Sequence, residues 1–136
     1  MSKKVPEYLE ENDKFAEHVG VEPLEAEEGR ARARLELEEK HLNSLGTVHG
    51  AAIFTLADVT FALAAHVKGR QAPGIQVSVN YFQAISAGTL FAEAREVHGH
   101  PKLSTYRVEI KNEADELVAD FEGTVYHLKD KYPPEE

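Results

Sequence analysis

One nearly uncharged segment limits the folds open to this chain more than any other feature. From Val48 to Ala65 the sequence reads VHGAAIFTLADVTFALAA, and Asp58 is its only formal charge although 29% of all residues are charged. Alanine and leucine favour a helix, and an apolar surface on all sides predicts a helix that is buried on most of them. A membrane span is the alternative, but threonine, histidine, glycine and the acid make the segment poorly lipophilic. We therefore predict a core helix.

Strand-like patterns surround this helix. The sequence first predicts a short amphipathic helix over about residues 7–19, ended by Gly20. In residues 21–37 apolar and charged side chains alternate, which predicts two half-exposed strands with Gly29 at the turn between them. Beyond Gly69 the alternation returns, and turn residues divide this part into four candidate strands. They lie near residues 75–81, 90–97, 106–111 and 117–128.

The order of these elements predicts an α+β fold. Short connections between the last four strands favour an antiparallel meander. A sheet that curls around the uncharged helix would explain why this helix lacks a polar face. The length of 136 residues predicts one domain over 1–136, with a frayed tail at 129–136.

Composition excludes several kinds of function. Lys and Arg total 15 against 24 Asp and Glu, a net charge of -9, which argues against binding nucleic acids or anionic membranes. The absence of cysteine excludes disulfides, thiolate metal sites and cysteine nucleophiles. The histidines have no metal-ligand spacing, and His98 and His100 are read as a solvated pair, so no metal is predicted. The first residues do not contain the apolar stretch that a secretory signal peptide needs, so a cytoplasmic location is predicted.

Two features of the uncharged segment point to chemistry. Asp58 is an acid in an apolar helix, where burial should raise its pKa towards the range of a general base or nucleophile. His49 and Gly50 begin the helix, where backbone N–H groups lack intrahelical partners and the helix dipole favours negative charge. A carboxylate and a free N–H that can hold an oxyanion are two halves of an acyl-transfer site.

The spacing of these groups predicts a dimer. Gly50 and Asp58 are separated by about 12 Å along a helix that rises 1.5 Å per residue. Reacting groups must come within about 3–3.5 Å of their target atom. Two antiparallel copies across a two-fold axis could bring Gly50 of one chain to Asp58 of the other. We therefore predict self-association with shared sites.

The same residues resemble a known family. From Asn43 to Asp58 the chain matches N-x-x-G-x-x-H-G-A-x-x-x-x-L-A-D, which resembles the signature of hotdog thioesterases of the phenylacetate-degradation (PaaI-like) group. The resemblance covers roughly residues 12–128. It continues through Ala72-Pro73-Gly74, Asn80-Tyr81-Phe82, Thr105-Tyr106-Arg107-Val108 and Gly123-Thr124-Val125.

The resemblance implies hydrolysis of acyl-CoA thioesters without a cofactor, by dimers that often pair into tetramers, with an aromatic, phenylacetyl-type acyl group. It assigns the catalytic carboxylate to Asp58 and the polarising N–H to Gly50. It places His49 beside the thioester and gives Asn43 the role of orienting the carboxylate or the water. The chain departs from the pattern at Ala51, where the group usually has a second glycine.

A second departure concerns the following strand, where some relatives carry a serine that assists the water. Gln76 stands at the matching position, and Ser78 lies two residues further on. The basic residues available for the phosphates of coenzyme A are Lys68, Arg70 and Lys102.

Other interpretations remain open from the sequence. Asp58 could be a structural acid, His49 a hydrogen-bonded histidine at a helix start, and Asn43 an ordinary turn residue. A hydratase or dehydratase of enoyl thioesters on the same fold would need a His–Asp pair at one substrate carbon. A non-catalytic acyl-CoA binding module would have no need for an acid in an apolar helix.

Overall fold

The computed structural model describes residues 4–134 of the chain. Three helices and six strands follow one another, with a 3₁₀ turn at Glu39–His41 between β2 and α3. Their bounds are α1 Lys4–Asn12, α2 Lys14–Val19, β1 Val21–Glu27, β2 Arg30–Glu36, α3 Gly50–His66, β3 Gly74–Tyr81, β4 Thr89–Gly99, β5 Leu103–Lys111 and β6 Leu117–Tyr126.

The strands form one antiparallel sheet in the order β1-β2-β4-β5-β6-β3, and α3 packs against it. The predicted α+β class with one long central helix is therefore confirmed. No helix in residues 4–134 is long and apolar enough to cross a membrane.

The core lies between α3 and the sheet. Leu56 and Leu63 on α3 are fully buried, and burying one such side chain contributes about 1.5–3 kcal/mol. Phe61 packs its ring on β6, and a Cβ added at Gly123 would lie 2.7 Å from its Cζ. Glycine at 123 thus makes room for the Phe61 ring. Leu63→Ala would cost about 2–5 kcal/mol because it leaves a cavity in this layer.

The predicted four-stranded meander is wrong in one respect. Strands β4, β5 and β6 follow one another as predicted, but β3 pairs with β6 at the far edge of the sheet. The reason lies in the connection from β3 to β4, residues 82–88, which passes the start of α3 instead of turning tightly. There the Val48 N–H donates to the Ile85 carbonyl at 2.7 Å. The second edge of β3 is left without a partner strand.

Both ends of the chain differ from prediction. The helix predicted over 7–19 is two helices, because Asp13 caps α2 by accepting a hydrogen bond from the Ala16 N–H at 3.0 Å. The tail predicted as frayed is held as far as Tyr132, whose ring centroid lies 4.1 Å from that of His66 and 5.4 Å from that of Tyr8. Residues 135 and 136 of the predicted tail lie outside the described residues.

Candidate active site

The loop that precedes α3 is held by Asn43. Its Oδ1 accepts hydrogen bonds from the N–H groups of Leu45 and Thr47, at 2.9 and 3.1 Å. Its Nδ2 donates to the Thr47 Oγ1 at 3.0 Å. The side chain thus uses its hydrogen-bonding groups within the loop. The role implied for Asn43, orienting a carboxylate or water, stays a prediction.

His49 is the N-cap of α3. Its Nδ1 accepts a hydrogen bond from the Ala51 N–H at 3.0 Å, so a neutral His49 carries its proton on Nε2. The backbone N–H of His49 donates to the His41 carbonyl at 2.7 Å, which fixes the direction in which the helix starts. His49 is exposed, so its Nε2–H is available to a ligand.

Gly50, the first residue of α3, has a free backbone N–H. Of the first N–H groups of the helix, that of Ala51 is taken by the His49 ring and that of Ala52 by the His49 carbonyl at 2.9 Å. The Gly50 N–H has no acceptor within residues 4–134. A donor at this end of a helix, where the dipole is positive, favours an oxyanion.

Tyr81, which the sequence analysis gave no role, covers Gly50. Its hydroxyl donates to the Gly50 carbonyl at 3.1 Å. A Cβ added at Gly50 would lie 3.2 Å from the Tyr81 Cζ, so glycine allows the close contact between β3 and the helix start. Only the pairing of β3 with β6 places Tyr81 here, and no sequence pattern indicated that pairing.

The prediction that Asp58 is buried is wrong for the single chain. The side chain is exposed, and Ala51 and Ala62 on the same side of α3 are exposed and half-buried, because the sheet leaves this side uncovered. Its carboxylate accepts no hydrogen bond and forms no ion pair with residues 4–134.

The predicted direction of the Asp58 pKa nevertheless holds. The pKa of Asp58 is raised above its ordinary value, first because the protein around it displaces water and second because Asp13 adds negative charge nearby. Water still reaches the exposed carboxylate, so we expect a moderate effect. A raised pKa moves a carboxylate towards the range of a general base.

The remaining predicted residues lie elsewhere. On β3, Gln76 pairs with Thr124 and Ser78 with Glu122, which places their side chains on the face of the sheet opposite to that of Phe121 and α3. They are not brought together with Gly50 or Asp58 of the same chain.

Lys68, Arg70 and Lys102 lie near the C-terminal end of α3. Lys68 pairs with Glu96 at 2.7 Å. Arg70 donates to the carbonyl oxygens of Pro101, His127 and Leu128, and no carboxylate of the described residues forms an ion pair with it. The three basic residues thus share one end of the molecule, far along α3 from Gly50.

The site geometry fits a protein family identified by sequence. The family model of the thioesterase superfamily matches residues 45–119, which is more than half of the chain and includes Gly50 and Asp58. The chain belongs to the thioesterase superfamily.

Individual members of the superfamily match nearly the whole chain. A protein of Archaeoglobus fulgidus with a provisional esterase name is 41% identical over 135 residues, covering 98% of this chain and 88% of its own. Acyl-coenzyme A thioesterase PaaI of Escherichia coli is 30% identical over 119 residues, covering 87% of this chain and 85% of its own.

Solved structures of the superfamily share the fold. That of Escherichia coli PaaI superposes with a TM-score of 0.90 at 26% identity and covers 94% of both chains. A variant of the phenylacetic acid degradation protein PaaI from Thermus thermophilus gives a TM-score of 0.81 at 38% identity, covering 85% of this chain and 100% of that one. The predicted PaaI-like hotdog thioesterase family and fold are confirmed, and so is the enzyme class, a thioester hydrolase.

Proposed function

We propose that this thioesterase superfamily member hydrolyses an acyl-CoA, with Asp58 as general base or nucleophile and the Gly50 N–H as oxyanion donor. One observation carries the proposal. The first N–H of α3 has no acceptor, and the Asp58 carboxylate of the same helix has no hydrogen-bond or ion-pair partner, among residues 4–134. A thioesterase needs both groups, whereas a helix that only supports the core needs neither.

The reaction can follow either of two routes. As general base, Asp58 takes a proton from water while the water oxygen bonds to the thioester carbon. The C–S bond then breaks, and the proton passes to the leaving sulfur to give the acid and free coenzyme A. As nucleophile, the Asp58 carboxylate bonds to the carbon itself, and the C–S bond breaks to release the coenzyme A thiolate. Water then hydrolyses the anhydride to the acid and the free Asp58 carboxylate, and the proton that the water loses passes to the thiolate. In both routes the Gly50 N–H stabilises the negative oxygen, helped by the exposed Nε2–H of His49.

We propose further that two copies share each site. Gly50 and Asp58 are about 12 Å apart along α3, too far for one carbonyl. Tyr81 of β3 contacts Gly50 at the start of α3, and the free edge of β3 can pair with a strand of another chain. An antiparallel second copy would bring its Gly50 to Asp58 of the first. Pairing of dimers into tetramers stays a prediction.

The basic residues fit this arrangement. Lys68 lies ten positions beyond Asp58, about 15 Å further in the direction of α3. We propose that Lys68, Arg70 and Lys102 of one copy contact the phosphates of a coenzyme A whose thioester lies at Gly50 of the other. Gln76 and Ser78 stay proposed contacts of the substrate. The aromatic acyl group, the cytoplasmic location and the lack of a cofactor also stay predictions.

The first test is thiol release from a panel of acyl-CoAs, including phenylacetyl-, hydroxyphenylacetyl-, benzoyl- and short aliphatic acyl-CoA. The chain has no cysteine, so the protein contributes no thiol background. We expect Asp58→Asn to lower kcat by about 10²–10⁴-fold, the usual contribution of a general base. Asp115→Asn carries the same chemical change at an exposed position between β5 and β6, outside the residues proposed for the site, and should keep full activity. Full activity of Asp58→Asn would refute the assignment.

Mixed dimers test the shared site. Gly50→Pro removes the N–H at the first helical position, where proline is tolerated, and His49 already has the extended conformation that precedes proline. Tyr81 is 47% exposed, so its ring can move away from the proline. Refolding equal amounts of the Gly50→Pro and Asp58→Asn proteins together should restore about a quarter of wild-type activity, because half the dimers are mixed and each has one intact site. A site within one chain would stay inactive in the mixture.

A further inference from the structure

The peptide group between Gly50 and Ala51 forms hydrogen bonds with two side chains. Its carbonyl oxygen, which belongs to Gly50, accepts from the Tyr81 hydroxyl at 3.1 Å. Its N–H, which belongs to Ala51, donates to the Nδ1 of His49 at 3.0 Å. These groups thus form one continuous chain of hydrogen bonds, which runs from the last residue of β3 to the ring that caps α3.

The direction of this chain determines where the His49 ring carries its proton. A peptide N–H can only donate, so the Nδ1 of His49 accepts and a neutral ring keeps its proton on Nε2. A hydrogen bond received by a peptide carbonyl polarises the whole peptide group and makes its N–H a stronger donor. The Tyr81 hydroxyl therefore strengthens the hydrogen bond that orients the His49 ring, although it does not touch that ring with a hydrogen bond of its own.

Tyr81 is held at the helix start by packing as well as by its hydroxyl. A Cβ added at Gly50 would lie 3.2 Å from the Tyr81 Cζ and 3.3 Å from its hydroxyl oxygen, so glycine allows the ring to lie this close. The pKa of the Tyr81 hydroxyl is raised because the protein around it displaces water. The hydroxyl thus keeps its proton, and remains a donor to the Gly50 carbonyl, throughout the neutral pH range.

We propose that Tyr81 is a positioning residue, whose hydroxyl holds the His49 ring in the Nε2–H tautomer through the peptide group that follows Gly50. The inference rests on the proposed function, because only there does the Nε2–H of His49 have a task at the thioester carbonyl. Tyr81 directs its own proton to the Gly50 carbonyl, so it acts through the ring and not on the substrate. A phenylalanine at this position would keep the packing and remove only the hydrogen bond.

The tautomer of His49 can be measured without any substrate. In protein labelled with 15N-histidine, the chemical shifts of the two ring nitrogens report which one carries the proton. The His49→Asn variant identifies the signals of His49 among the seven histidines. At a pH at which the ring is neutral, Tyr81→Phe should raise the ratio of Nδ1–H to Nε2–H about threefold or more, as weakening of one hydrogen bond predicts. Tyr126→Phe, the same change at another partly exposed tyrosine, is the control and should leave the ratio unchanged.

A double-mutant cycle tests the consequence for turnover. Tyr81→Phe should lower the kcat of thiol release about three- to tenfold at nearly unchanged KM, which is part of what one oxyanion donor contributes. In the His49→Asn background, which keeps a cap on α3 but has no Nε2–H, the same change should cause no further loss. Tyr126→Phe should keep full activity in both backgrounds. Melting temperatures show whether each variant is folded.

The outcomes separate this inference from the proposed function. A raised tautomer ratio, with a loss of kcat confined to the background that has His49, supports the positioning role of Tyr81. A ratio that Tyr81→Phe leaves unchanged would overturn it, even if the wild type hydrolyses acyl-CoA. An equal loss of kcat in both backgrounds would also overturn it, because Tyr81 would then act on Gly50 or on the substrate directly. Absence of thiol release from every acyl-CoA would refute the proposed reaction, and the tautomer ratio would still decide whether Tyr81 holds the ring.

Discussion

The two ends of α3 use the same residue type in opposite ways. At the C-terminal end both nitrogens of the His66 ring form hydrogen bonds within the protein. Nδ1 donates to the Ala62 carbonyl at 2.7 Å, and Nε2 accepts from the Ala72 N–H at 3.0 Å. At the N-terminal end only the Nδ1 of His49 forms a hydrogen bond, and the neighbouring Gly50 N–H has no acceptor within residues 4–134. At the C-terminal end the histidine ring is fully hydrogen-bonded within the protein, whereas at the N-terminal end the His49 Nε2–H and the Gly50 N–H are available to a ligand.

The surroundings repeat this contrast. Near the C-terminal end Ser104 and His127 are buried and joined by a hydrogen bond of 2.7 Å between Oγ and Nε2. At the middle of α3, eight residues beyond Gly50, Asp58 is exposed and accepts no hydrogen bond from residues 4–134. Titratable residues alone therefore do not mark a functional site. Unused hydrogen-bonding capacity beside an open surface distinguishes the N-terminal end.

Of the two ends of α3, the C-terminal end should show the larger change in stability. Ser104→Ala removes the partner of the His127 Nε2, and the Nδ1 of this buried ring already lacks one. An unsatisfied buried group costs about 1–3 kcal/mol, so we expect the free energy of unfolding in urea to fall by that amount. Turnover per folded molecule should not change. Ser86→Ala, in an exposed loop, is the control. The Ser104 hydroxyl also accepts from the Lys68 Nζ at 3.4 Å, so KM can rise with the proposed coenzyme A contact. A loss of kcat at unchanged stability would show that this end acts in the chemical step as well.

His49 allows the two roles of a helix start to be separated. His49→Ala removes the cap of α3 and should cost about 1 kcal/mol of stability, whereas His49→Asn supplies another good cap and should cost much less. Both variants lack the Nε2–H, so we expect them to lose thioesterase activity to a similar extent. Denaturation and thiol release on the same preparations measure the two effects. If His49→Asn kept full activity, His49 would act through capping alone.

Local patterns predicted most of the fold. The low charge of α3 predicted a helix against the sheet, and the alternation of charged and apolar residues in Arg30–Glu36 predicted a strand with one exposed face. The position of β3 was not predictable in this way. It depends on a pairing with β6, across a connection whose path is set by contacts with the loop before α3. Sequence alternation carries no information about which strand is the neighbour.

The candidate site shows the same limit. Spacing placed Gly50 and Asp58 on one helix and showed that they are too far apart for one carbonyl, which motivated the dimer hypothesis. The apolar sequence around Asp58 led to the wrong prediction that this side chain is buried. Apolar residues on a helix can face another molecule as well as the core of their own chain. A cavity beside the start of α3 is lined by residues of α2, by Leu42 and by Ala52. These are distant in sequence, so no local pattern pointed to it.

The smallest expected effect concerns the stability cost of keeping Asp58 charged at the middle of α3. Its folded-state pKa is raised above the ordinary value of 3.8, so the folded chain resists ionising this carboxyl more than the unfolded chain does. That cost is absent well below pH 3.8, develops as the pH rises through the folded-state pKa, and is fully present at pH 7. Asp58→Asn carries no such charge, so at pH 7 its melting temperature should be slightly higher than that of the wild type, and the difference should shrink as the pH falls towards 4.

The kcat of the wild type should fall as the pH falls, whereas its stability relative to Asp58→Asn should improve. The carboxylate must be deprotonated to act, so wild-type kcat should decline as the pH falls through the raised pKa of Asp58. Asp115→Asn, outside the residues proposed for the site, should leave both properties nearly unchanged. A melting temperature of Asp58→Asn equal to or below that of the wild type at pH 7 would mean that the folded protein stabilises this charge. Asp58 would then stabilise the fold as well as act in catalysis. The proposed difference between the two ends of α3 would no longer hold.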